Sequence, residues 1–351
     1  MSLCKYGKKC ISTAAAMMLA IVLAGCGGTG EKTAEANRLI EQLDYRGALE
    51  LLEKAEEDGE NLRLVLRSKG IAYMGMADYE QAAEAFRESL AGSNGLLQNL
   101  DFDTNYYLAA AYTKSGLYHE AEDTYNAILD LRPGEEDVYF LRGNVRMNLG
   151  NYEGAKEDFE KAVSRKPKDY DRLIAIYEVL DYFGFREDGQ AYLRAALEAG
   201  DKQMSKYYIG RIYYYLGEYQ KATLALEEAR DEGGVESYLY LGRAYEATGD
   251  YNYAASVYNS YLAKYEGNAE VYNQLGLCQT YLGDYQKALT AFQTGMQLDE
   301  GGMQQTLAFN EIVAYEHLGE FKQAYVLLTE YRKNYPDDSQ AKREYDFLST
   351  R

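Results

Sequence analysis

The chain of 351 residues carries 56 acidic and 37 basic side chains, a formal charge of −19. That balance argues against nucleic acid, which needs a basic face, and against anionic lipid headgroups as partners. An exterior this acidic favours solubility and basic partners, or is simply a solvated surface, and 47% hydrophobic residues suffice for a continuous core. His119 and His317 are the two histidines, in distant parts of the chain. No His, Cys or Asp cluster has metal spacing, no glycine loop suits a phosphate, and nothing selects a carboxylate pair. No catalytic residue, metal or small-molecule cofactor is expected.

Residues 1–25 stand apart from the rest. Lys5, Lys8 and Lys9 form a basic start, and residues 11–24 form an apolar stretch too short for a comfortable membrane helix. Leu23, Ala24, Gly25 and Cys26 follow, and this run resembles the lipobox of bacterial lipoproteins. The resemblance implies a signal peptide over 1–25, cleavage before Cys26 and diacylglycerol on its sulfur. Several acyl chains would give stable attachment where one is marginal. The plainer alternative is an ordinary signal peptide or anchor with a chance cysteine. On the lipoprotein reading the protein is extracytoplasmic and lipid-anchored to a bacterial membrane, with cell membrane and outer membrane not distinguished. Losing three lysines and no acids takes the charge from −19 to −22. Cys4 and Cys10 leave with the signal, so acylated Cys26 and Cys278 form no disulfide. Cys278 reads as a buried packing residue. Residues 26–30, with Gly27, Gly28, Thr29 and Gly30 after the cysteine, make a tether spanning on the order of 15–20 Å. The first repeat is then expected at the membrane surface.

From residue 31 to 338 one pattern recurs nine times, about every 34 residues. Its anchor is a small residue: Ala48, Ala82, Ala121, Ala155, Gly189, Ala222, Ala254, Ala288 and Ala324. Five residues earlier stands a glycine, fit for a left-handed helix stop, with Leu43 and Ala77 replacing it in the first two units. Three residues before the anchor comes an aromatic, from Tyr45 to Phe321, except at Arg186, where Phe185 lies one position earlier. Four residues after the anchor a large apolar side chain shares its helix face: Leu52, Phe86, Tyr125, Phe159, Leu193, Leu226, Tyr258, Phe292 and Leu328. Nine before it stands another large residue, such as Tyr73, Tyr112, Tyr213, Tyr245 or Tyr315. Twelve before it is often glycine (Gly70, Gly143, Gly210, Gly242, Gly276), whose recurrence predicts close helix approach. Pro133, Pro167 and Pro336 each lie twelve residues after an anchor and mark the end of a second helix. Each unit reads helix, turn, helix, loop.

This pattern resembles the tetratricopeptide repeat over roughly residues 31–338. The resemblance implies an all-α, right-handed α-solenoid of about nine helix-turn-helix units, and 339–351 reads as a capping helix whose Ala341, Tyr345 and Leu348 cover the last one. The array reads as one elongated domain. Two departures stand out. Residues 91–103 read as a longer connection, and the fifth unit has Tyr177 where glycine is usual, which predicts altered pitch.

In the tetratricopeptide family the first helix of each unit lines a concave groove. Carrying that phase to this chain gives Tyr106, Tyr107, Asn144, Asn148, Tyr207, Tyr208, Arg211, Tyr214, Tyr215, Tyr240, Arg243 and Tyr281. Tyrosine gives large contact area at small entropic cost, and arginine forks carboxylates. The set suits a protein or peptide ligand bearing an acidic group or a free C-terminus. It does not reproduce the lysine and asparagine clamp of chaperone-binding members. Two other readings remain beside a protein-interaction scaffold: a glycan-binding lipoprotein using the tyrosine face, and a self-assembling structural lipoprotein. Several of these tyrosines equally suit packing between units.

Overall fold

The computed structural model describes residues 30–93, 95–96, 98–199, 204–299 and 302–350. The signal segment, Cys26 and the tether through Thr29 lie outside the described residues. Nineteen α-helices and no strand occur among the described residues. In pairs they are α1 (Glu31–Glu41) with α2 (Tyr45–Glu57), α3 (Leu62–Gly75) with α4 (Tyr79–Ala91), and α5 (Asn99–Lys114) with α6 (Tyr118–Leu131). Next come α7 (Glu136–Asn148) with α8 (Tyr152–Ser164), α9 (Tyr170–Tyr182) with α10 (Arg186–Glu198), and α11 (Lys206–Tyr215) with α12 (Tyr219–Glu228). The remaining pairs are α13 (Val235–Ala247) with α14 (Tyr251–Lys264), α15 (Ala269–Tyr281) with α16 (Tyr285–Leu298), and α17 (Gln304–His317) with α18 (Phe321–Asn334). Helix α19 (Ser339–Leu348) ends the series. The chain is all-α, a repeat array of helix pairs. It divides into two compact units, residues 30–189 and 190–351 of those described, and the division falls inside α10. No helix among the described residues is long and apolar enough to cross a membrane.

The turn between the helices of a pair follows from one backbone feature. The residue five before each anchor has positive φ in all nine pairs, at Leu43 (64°) and Ala77 (59°) as well as at the seven glycines. That conformation costs an L-residue with a side chain roughly 1–2 kcal/mol, so the first two turns are strained where the others are not. The next residue then donates its N–H back across the turn, as from Asp44 to Leu39 O at 2.9 Å and from Asp250 to Tyr245 O at 2.9 Å. The same residue opens the following helix. Asp44, Asp78, Asn151 and Asp284 each accept a backbone N–H from three residues on, which satisfies a donor the helix start would leave unpaired.

Packing within each pair explains the remaining pattern. The eight alanine anchors and the nine large residues four positions on are all buried. Each large side chain so buried contributes about 1.5–3 kcal/mol. The recurrent glycines lie under these residues. A Cβ on Gly70 would stand 2.4 Å from Phe86, on Gly143 2.6 Å from Phe159, on Gly242 2.2 Å from Tyr258 and on Gly276 2.4 Å from Phe292. The fifth pair exchanges the roles. Tyr177 takes the glycine position, and a Cβ on Gly189 would come within 3.1 Å of the Tyr177 Cα. The bulk has moved from one helix to its partner, and the close approach is kept.

The tyrosines nine before the anchor join successive pairs. Tyr112 packs into both the Ala109–Tyr125 core and the Ala82–Phe86 core, and Tyr245 and Tyr315 bridge neighbouring cores in the same way. Cys278 on α15 is buried, its thiol pushed up by burial and by Glu246. Ala341 and Leu348 of α19 bury themselves against Leu328 and Tyr331 of α18, with Tyr345 alongside. One local expectation fails. The connection after α4 is shorter than 91–103, because α5 already begins at Asn99. The Asp101 carboxylate accepts the Gln98 N–H at 2.7 Å and pairs with Arg63, which caps the helix early.

Candidate partner-binding face

Direct contact between α11 and α13, the first helices of adjacent pairs, brings seven of the twelve candidate residues together. Tyr207 and Arg211 are four apart on α11 and share its face. The Arg211 guanidinium lies 5.1 Å from the ring centre of Tyr207, 5.6 Å from that of Tyr208 and 5.2 Å from that of Tyr240 on α13. Arg243, one turn after Tyr240, stands 5.9 Å from the same ring. Tyr240 therefore lies within cation–ring distance of two guanidinium groups, and it is only 7% exposed. Cation–ring contacts of this kind contribute about 0.5–2 kcal/mol each.

The other rings close the cluster. Tyr214 meets Tyr215 and Tyr240 edge-on at 5.5 Å. The hydroxyls of Tyr215 and Tyr240 share a hydrogen bond of 2.8 Å. Arg243 is ion-paired with Glu270 of α15. Burial works against the Arg243 charge, yet Glu270 and the nearby tyrosines hold its proton more firmly than usual. Tyr207, Tyr208, Arg211, Tyr214 and Tyr215 are half-buried. The side chains hold one another in place and leave part of each ring at the surface. Such a face supplies flat amphipathic area with little rotamer entropy left to lose, and guanidinium groups that favour carboxylates.

The five remaining candidates lie elsewhere. Tyr281 on α15 is 42% exposed and stacks on Tyr251 at 4.5 Å with the rings 6° apart. The same geometry recurs between Tyr285 and His317, also at 4.5 Å and 6°. Tyr281 thus occupies a stacking position that the repeat provides. In the unit over residues 30–189, Tyr106 meets Tyr125 edge-on at 6.4 Å, and burial pushes its hydroxyl well up. Tyr107 stacks on Phe86 at 5.7 Å beneath the Arg67 guanidinium, and burial raises its pKa. Asn148 donates to the Asn144 carbonyl at 2.9 Å and its side-chain oxygen at 3.2 Å.

Sequence reasoning missed the ionic partners. Arg142 donates to both oxygens of buried Asp158, at 2.9 and 2.6 Å, and Arg146 reaches Asp158 at 2.9 Å and Glu122 at 2.7 Å. The available signal was Arg142 and Arg146 four apart on one helix, with an acid three residues past the Ala155 anchor. Glu270, which holds Arg243, had no such mark. Among the described residues no group of three His, Cys, Asp or Glu side chains is placed to hold a metal ion.

Tetratricopeptide repeat models match residues 136–169 and 269–301, and a third such model matches 67–136 and 207–269. Together they cover more than half of the chain. Among curated proteins the chain is similar to RNA polymerase II-associated protein 3 of Mus musculus, 24% identical over 173 residues, 47% of this chain and 26% of that protein. It is also similar to the DnaJ homolog subfamily C member 7 homolog of Dictyostelium discoideum, 24% identical over 186 residues, 52% of this chain and 34% of that one. The matched stretch spans about a quarter to a third of the length of these relatives. Among solved structures it is similar to a tetratricopeptide repeat protein from Parabacteroides merdae ATCC 43184, with TM-score 0.48 and 16% identity over 81% of this chain and 99% of that one. A second similar structure is MamA from Desulfovibrio magneticus RS-1, with TM-score 0.42 and 20% identity over 50% and 99% of the two chains.

Proposed function

The chain belongs to the tetratricopeptide repeat family, and from that premise we propose a membrane-anchored scaffold that holds a protein or peptide outside the cytoplasm. Members of the family generally serve as scaffolds for protein partners, and repeat scaffolds of this fold are typically non-catalytic. The observation that carries the reading for this chain is the half-buried face in which Tyr207 and Tyr208 flank Arg211 and Tyr214 and Tyr215 pack on Tyr240. It is held rigid by ring and hydroxyl contacts and presents guanidinium chemistry beside flat rings. A peptide segment with an acidic group and apolar neighbours suits that surface. A chain carrying Tyr207→Ala, Tyr208→Ala and Arg211→Ala is expected to lose partner capture in cells at least ten-fold, about 1.4 kcal/mol, with helicity by circular dichroism unchanged. Undiminished capture with intact helicity would sink the assignment.

The anchor rests on sequence: a basic start, a short apolar run and Leu23-Ala24-Gly25-Cys26. Acylation there would hold the first helix pair within a short tether of the membrane, and the partner would be one reachable from that surface. In cells, Cys26→Ala is expected to move the protein out of the acylated membrane fraction. Retention of a lipid label by the variant would refute the anchor. An envelope-assembly role fits such a tethered scaffold and is part of the same proposal.

A further inference from the structure

A buried carboxyl at the far end of the array plays no part in that face. Glu316 lies on α17 one turn beyond Ile312 and Val313, on the apolar side that packs with α18 and α19. It is 6% exposed, and neither carboxylate oxygen meets a hydrogen-bond donor. A carboxylate so placed loses its hydration without compensation. Glu344 of α19 is the charged group that acts on it, and it is another carboxyl, within hydrogen-bonding reach once a proton is present. Two ionised carboxylates offer each other acceptors only. The titratable groups that the neighbouring helices bring here are engaged elsewhere: the Tyr325 hydroxyl with that of Tyr345 at 2.8 Å, and the Tyr331 hydroxyl with Asp338 at 2.6 Å. His317, next along α17, stacks on Tyr285 of α16.

We infer that Glu316 and Glu344 form a proton-sharing carboxyl pair that makes the docking of α19 depend on pH. One proton between them turns two acceptors into a donor and an acceptor, and joins α17 to the terminal helix. Burial first, and the Glu344 charge second, raise the Glu316 carboxyl from its ordinary 4.5 to about 8. A carboxyl raised in the folded state binds its proton more tightly there than when released. Docking is therefore strongest below about pH 4.5, weakens by up to ten-fold per pH unit above that, and reaches its weakest once the pH passes about 8. Undocking uncovers Leu328 and Tyr331.

Hydrogen exchange of the whole chain across about pH 5 to 9, corrected for intrinsic exchange, tests this. Protection of residues 339–348 is expected to fall at least ten-fold more than that of α15, which serves as the internal reference. In Glu344→Gln the amide donates to Glu316 without a shared proton, and in Glu316→Gln the buried charge is gone. Glu316→Gln is expected to flatten the pH dependence and Glu344→Gln, in which the burial of Glu316 persists, to reduce it, while α15 is unchanged. Protection of α19 that tracks α15 at every pH in the native sequence, or a fall of equal size in both variants, would overturn the inference.

Discussion

The faces of the first helices are furnished differently in the two compact units. In residues 30–189 the arginines of the first helices hold carboxylates, Arg63 with Asp101, Arg67 with Asp103, and Arg142 and Arg146 on Asp158, while Arg67 and Arg142 each lie near one ring, of Tyr107 and Tyr139. In residues 190–351 the first helices α11 and α13 carry a cluster of tyrosines with Arg211 and Arg243 lying over its rings, and Arg243 is also paired with Glu270 of α15. Both arrangements fix a guanidinium, but they leave different surfaces behind. A carboxylate clamp uses up the guanidinium's donors, and its stability is lost if one partner is removed. A ring clamp holds the cation by its face and gathers several flat rings beside it. The first device suits internal rigidity, the second a binding surface.

The sharpest way to break this contrast is Asp158→Ala, which leaves Arg142 and Arg146 half-buried without their shared carboxylate. Removal of one member of a buried ionic cluster costs about 3–5 kcal/mol, so the denaturant midpoint of residues 30–189 is expected to drop sharply. A loss below about 1 kcal/mol would mean that the cluster is not the clamp described. Tyr215→Phe probes the other unit. It removes the hydroxyl pair with Tyr240 and keeps the ring, so it is expected to cost only about 0.5–1.5 kcal/mol, read as a small shift in the unfolding of residues 190–351. A loss as large as that of Asp158→Ala would show that hydroxyl bonding, and not ring contact, organises the face.

Sequence and structure agree on the frame for a physical reason. Anchor, glycine and large residue must meet inside one helix pair, so their spacing is fixed by local helix geometry and shows as a period. Tyr177 and Gly189 show how firm that requirement is, since the two exchange bulk and the contact survives. Helix caps were less visible. Asp101 starts α5 earlier than a connection over 91–103 suggests, because a single carboxylate closes the helix start and pairs with Arg63. The candidate face was legible only in phase. Spacing assigns Tyr240 and Tyr281 to one side of a first helix, but it does not say that Tyr240 lies near two arginines and Tyr281 is stacked on Tyr251. Those outcomes depend on side chains contributed by neighbouring helices some 30 residues away, as do Glu270 and Glu344, and no local spacing marks them.

We propose that the tyrosine face beside Arg211 receives the partner, and site-specific photo-crosslinking in living cells probes that contact. One crosslinking residue replaces Tyr208 on α11, and in a separate chain another replaces Leu224, which is 70% exposed on α12. A discrete protein adduct is expected from position 208, identified by mass spectrometry and lost in the chain that also carries Tyr207→Ala and Arg211→Ala, with none from position 224. An adduct from 224 alone, adducts only between copies of this chain, or no protein adduct at 208 despite full expression would contradict it.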